Sequence, residues 1–186
     1  KRKGWTTNRH IVVIESDDWG SIRMPSLEVR NELISKGVNI DSCIYDRIDT
    51  LEANTDLELL MEVLDSVKDG CGNPAKMTLD CVVANPNFEK IKANGFVKYE
   101  YELFTETLKR YPHHDRVFEL WKEGIRHNVF RPQFHGREHL NAYLWLMLLQ
   151  DKQPEVMKAF DKGVISMDID KGVDARGHVL AAYNVK

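Results

Sequence analysis

An α/β fold built on a parallel sheet is the architecture this sequence predicts, and three observations carry it. Runs of β-branched and apolar residues with the length of strands occupy 10–16 and 77–83, with a shorter one at 129–134. Segments whose apolar residues recur at helical spacing separate them. Each strand-like run hands over to a polar turn, as strands do in a sheet covered by helices. At 186 residues the chain suits a single domain, 1–186, since one core of that size buries most of its apolar surface.

The elements follow in order. The first strand, 10–16, runs into Asp17-Asp18-Trp19-Gly20. Ser26 is the expected N-cap of a helix through Leu33 and Ile34, and Gly37 its end. Residues 38–53 read as a loop with a short helical turn. Thr55 is the expected cap of the next helix, whose Leu57, Leu60, Met61 and Leu64 share one face. The turn-rich stretch 69–74 leads into the second strand, 77–83, which ends at Ala84-Asn85-Pro86. Residues 96–112, aromatic and charged, read as an excursion from the core, an insertion or a lid. Residues 115–127 form an amphipathic helix with Val117, Leu120, Trp121 and Ile125 as its stripe. A strand broken by Pro132 follows at 129–134, then helices near 138–149 and 154–162, and a further strand at 164–169. An open doubly wound sheet and an incomplete (β/α) barrel both fit. In either, functional residues gather at the C-terminal ends of strands.

Composition narrows the classes of function. The formal net charge is −3 with both signs interspersed, and no basic stripe marks a nucleic-acid binder. No apolar run approaches the roughly 20 residues that cross a bilayer. Cys43, Cys71 and Cys81 are odd in number and far apart, which argues against a disulfide framework and a thiolate zinc site. Reduced thiols are expected, with a lean toward a reducing, cytoplasmic compartment. The chain opens without Met and stops just after an apparent strand near Asn184, so further residues are expected on its C-terminal side.

Two clusters carry chemistry. Asp17 and Asp18 follow the first strand and point in different directions, so one can hold a cation while the other takes a proton from water. His135 and His139, spaced i and i+4, would share a helix face and reach one ion. Both clusters sit where a strand ends, hence on the same side of a parallel sheet. Asp18, His135 and His139 would thus supply three ligands and leave coordination positions open, as catalytic metal sites do. The histidine-rich set favours zinc first, with cobalt, nickel or manganese as alternatives.

The strand with its Asp17-Asp18 turn and the His135-x-x-x-His139 segment resemble the first two motifs of the polysaccharide deacetylases. That resemblance implies an incomplete, distorted (β/α) barrel that removes N- or O-acetyl groups from carbohydrate. It also implies that Asp17 is the catalytic base and that Asp18, His135 and His139 bind the metal. The family's first motif usually reads Phe-Asp-Asp-Gly. Here Trp19 intervenes before Gly20, as a candidate aromatic wall for a sugar, and Asn85 and Gln133 are further candidate substrate contacts. Two later family elements have no match: an arginine that orients the base and a late histidine that protonates the leaving group. Arg131 precedes the histidine pair, and His178 lacks an apolar strand before it. The alternatives are a metal-dependent glycosidase, which needs a second placed carboxylate, and a catalytically silent carbohydrate-binding domain that keeps the metal site.

Overall fold

The computed structural model describes residues 4–40 and 44–165. Its elements run β1 (Glu15–Trp19), α1 (Leu27–Ser35), α2 (Ile44–Ile48), α3 (Asn54–Ser66), β2 (Met77–Val82), β3 (Ala84–Pro86), α4 (Phe88–Ala93), β4 (Tyr101–Leu103), α5 (Phe104–Leu108), α6 (Val117–Arg126), β5 (Phe130–Gly136), α7 (Ala142–Gln150) and α8 (Pro154–Phe160). Three strands form a parallel sheet in the order β1-β2-β5, and β3 pairs with β4 antiparallel. The fold is mixed α/β. No closed barrel occurs among the described residues.

The central strand shows why the sheet forms. Leu79 and Cys81 project to one face and are buried among Leu57 and Leu64 of α3 and Val117, Leu120 and Trp121 of α6. By strand alternation Asp80 lies on the other face, paired in register with Gln133. Pro132 is tolerated within β5 because that strand lies at an edge of the sheet among the described residues. A second cluster joins Ile91 of α4 to Leu144, Trp145 and Leu148 of α7 and Val156 and Phe160 of α8.

Several expectations hold locally. Ser26 caps α1, its Oγ accepting the Val29 N–H at 3.2 Å. That helix ends at Ser35 with Lys36 as its C-cap, and Gly37 follows at φ +77°, after which the Val38 N–H reaches back to the Leu33 carbonyl at 3.0 Å. Others need correction. The first strand does not begin at 10: β1 starts at Glu15, and Ile11, Val12, Val13 and Ile14 lie exposed, Val12 at 86%. Thr55 does not cap α3. Ala53 stands there, its N–H donating to Asp56 Oδ2 at 2.7 Å. Ile125 is largely exposed although it belongs to the apolar stripe of α6. Within 96–112, Phe104 and Leu108 join the main core and Phe96 packs on Phe160. Val164 and Ile165 are buried but outside any strand, and the rest of that predicted strand, with His178, lies outside the described residues.

Candidate metal centre

Two bulges build the site. Ser16 pairs with Leu79 and Trp19 with Cys81, so Asp17 and Asp18 together oppose Asp80 alone. On the far side, Phe134 pairs with Cys81 and Gly136 with Val82, which leaves His135 as the extra residue of β5. A bulge bends its strand and re-aims a side chain. Both outer strands therefore turn a polar residue out of the ladder at the same, C-terminal end. Asp18 completes its turn with φ +61°, a left-handed conformation that Asp tolerates better than most residues.

The histidines are not on one helix, contrary to the reading of their spacing. His135 is in β5, His139 in the connecting turn, and α7 starts only at Ala142, capped by Asn141 Oδ1 accepting from the Leu144 N–H at 3.1 Å. They meet by another route. Gly136, at φ +138°, turns the chain as only glycine readily does. The carbonyl of Arg137 then accepts the N–H groups of Val83 and Ala84, at 3.1 and 2.8 Å. The Arg137 side chain lies over Tyr99 and Tyr101 and pairs with Glu138. The turn so pinned brings the two imidazoles parallel, with ring centroids 6.1 Å apart and planes 8° apart.

One ligand atom each from Asp18, His135 and His139 lies within 4.8 Å of the others. His135 Nε2 is 3.7 Å from Asp18 Oδ1, too far for a hydrogen bond. Asp18 Oδ1 and His139 Nδ1 are buried without a hydrogen-bond partner. A carboxylate oxygen and two ring nitrogens that face one another but do not bond to each other suit a divalent cation between them. Asp17, by contrast, is exposed at the mouth.

The other oxygen of Asp18 is held. Arg23 Nη2 donates to Oδ2 at 2.9 Å, and its Nε lies 3.0 Å from Asp49 Oδ2. Asp17, Asp18, Arg23, Tyr45, Asp49 and His139 line an open cleft of about 530 Å³. Burial raises the pKa of Asp49, with Arg23 opposing and the charges of Asp18 and Asp17 adding to the rise.

The remaining candidates fall elsewhere. Trp19 packs edge-on against Trp121, centroids 6.3 Å apart, and so leans on the core. Asn85 is fully buried. Its Oδ1 accepts the Ile22 N–H at 2.8 Å and its Nδ2 donates to the Gly20 carbonyl at 2.8 Å, so it staples the turn that follows Asp18. Gln133 lines a separate apolar groove beside Phe134, Phe118 and Trp121. Arg23 escaped the sequence reading altogether. Its one signal there is its place five residues after Asp18, at the end of a short polar turn. Cys71 and Cys81 are both unpaired, and neither lies at the site. No family model, curated protein or solved structure matches this chain.

Proposed function

We propose that this chain is a metal-dependent hydrolase that removes acetyl groups from a polysaccharide or amino sugar, on an incomplete (β/α) barrel of the polysaccharide deacetylase kind. One observation carries the reading: Asp18 Oδ1 and His139 Nδ1 are buried and unpartnered beside His135, in a group that one cation can bridge. An unsatisfied buried acceptor costs about 1–3 kcal/mol, and a bound cation removes that cost.

Asp18, His135 and His139 would hold the ion, zinc first and cobalt, nickel or manganese after it. When bound, it supplies Lewis acidity toward an acyl carbonyl and toward water. Asp17 does the proton work. Its exposed carboxylate has no hydrogen-bond donor among the described residues and is adjacent in sequence to a ligand, at the open side of the cleft. It can take a proton from water there and return it to the departing amine or alcohol. Arg23 cannot share this role, because a guanidinium does not give up its proton in proteins. Apolar and aromatic side chains of Ile48 and Tyr45, both exposed at the cleft wall, give a sugar face something to rest on.

The test is metal content by mass spectrometry on the purified protein, followed by acetate release from acetylated oligosaccharides. About one equivalent of metal in the parent and little in Asp18→Ala and His139→Ala supports the centre. A parent that takes up no metal after incubation with zinc overturns it. Asp17→Asn should keep the metal and lose about 10²- to 10⁴-fold in acetate release. Equal activity in that variant would remove Asp17 from the mechanism.

A further inference from the structure

Asp18 offers two oxygens, and the fold treats them differently. Oδ1 is buried with no donor and faces His135, whereas Oδ2 is bonded to Arg23. Arg23 is itself only 7% exposed. Its Nε is paired with Asp49 at 3.0 Å, and its guanidinium carbon sits 5.5 Å from the Tyr45 ring centroid. The turn that delivers it is fixed: the Ser21 N–H bonds the Asp18 carbonyl at 3.0 Å, and Asn85 bonds both Gly20 and Ile22. Arginine suits this place because its planar fork serves two carboxylates at once, and charge-assisted bonds of this kind are among the strongest in proteins.

We propose that Arg23 is a positioning residue of the centre: it keeps Oδ2 of Asp18, so that a cation meets this carboxylate through Oδ1 alone, while Asp49 offsets its charge. The inference rests on the reading of Asp18, His135 and His139 as a metal centre. A carboxylate free at both oxygens can close on a cation with both, filling a position that substrate or water needs. A buried positive charge next to the ion would also weaken binding, unless a second carboxylate compensated it. Arg23 and Asp49 together solve both problems. Outer-shell partners of this kind shape the ligand as much as its identity does.

Cobalt(II) makes this measurable, since its visible absorption weakens as coordination number rises. The parent protein, Arg23→Gln and Asp49→Asn are each titrated with cobalt chloride, with circular dichroism to establish folding. Arg23→Gln should still bind cobalt, with clearly weaker visible bands, because the released Oδ2 joins the ion. Asp49→Asn should keep the parent's spectrum and bind about tenfold more weakly. A parent-like spectrum in Arg23→Gln overturns the proposal, as does parent-like affinity in Asp49→Asn, which decides alone if the arginine variant fails to fold. No cobalt uptake by the parent ends the metal reading itself. Uptake by the parent with both variants unchanged ends only the role of Arg23.

Discussion

The carboxylate half and the imidazole half of the candidate centre are held by different means. Asp18 sits 15% exposed in a chain of paired charges, with Arg23 and then Asp49 behind it. Asn85 and the backbone of the following turn lock that chain in place. His135 is 35% exposed, and no described side chain donates to it within hydrogen-bond distance. His139 depends on the path of the backbone through Gly136 and Arg137. One half is thus organised by side-chain electrostatics and the other by main-chain geometry. Side-chain deletions should damage the first half, and backbone changes the second.

The largest expected effect tests the first half. Asp18→Ala leaves the buried Arg23 with Asp49 as its one remaining carboxylate partner among the described residues. Breaking a buried pair from one side typically costs about 3–5 kcal/mol, and the surviving partner puts this case near the low end, about 3 kcal/mol. Urea unfolding without added metal should show that loss in Asp18→Ala and a change within about 0.5 kcal/mol in His135→Ala. Equal losses in the two variants would erase the distinction between the halves.

A second effect ties the carboxylate half to pH. Glu52 Oε2 accepts the Gly20 N–H at 3.3 Å, directly behind the Asp17-Asp18 turn, and Oε1 is buried without a partner. Burial raises the Glu52 pKa from 4.5 to about 7 against the opposing pull of backbone N–H groups. A carboxyl with a raised folded pKa binds its proton more tightly when folded. Its stabilisation is therefore complete below about pH 4.5 and is lost as pH climbs toward 7. At about 1.4 kcal/mol per unit the ceiling is near 3 kcal/mol, and partial solvent access brings the expected loss to about 2 kcal/mol. Glu52→Gln, neutral at every pH, should flatten the fall in unfolding free energy between pH 5 and 7.5. A fall of the same size in the variant would assign it to other groups.

What could be read in advance divides along the same line. Local patterns fixed by neighbouring residues were legible: the Ser26 cap, the apolar face of α3, the strand 77–82, the helix after 116. Asp18, His135 and His139, which the fold brings together, could be picked out as well, because polar residues at strand ends stand out against apolar runs. Their geometry was not legible. The histidine spacing fits a helix, but whether a bulge and a glycine turn replace that helix depends on pairing register with β2, a property of distant residues. The exposed run 11–14 misled for a similar reason, since apolar character does not say whether a sheet's flank is covered. Arg23 was hidden because its partners, Asp18 and Asp49, meet it only after two turns of the chain have folded.

The smallest effect probes the imidazole half at its backbone. A Cβ added to Gly136 would meet nothing closer than the Glu138 carbonyl oxygen at 3.9 Å, so space does not oppose an alanine there. The obstacle is the φ of +138°, which an L-residue reaches only with strain of order 1–3 kcal/mol. Gly136→Ala can absorb that strain in two ways. It can keep the turn and lose about 1–2 kcal/mol of stability, or relax the turn and move His139 away from His135. Because β5 lies at the edge of the sheet among the described residues and His135 and Arg137 on either side of the glycine are exposed, relaxation is the cheaper course. The variant should therefore lose little stability in urea but bind zinc at least tenfold more weakly by isothermal titration. Parent-like zinc affinity together with a clear drop in unfolding free energy would show that the turn is rigid, and that the imidazole half is organised as firmly as the carboxylate half.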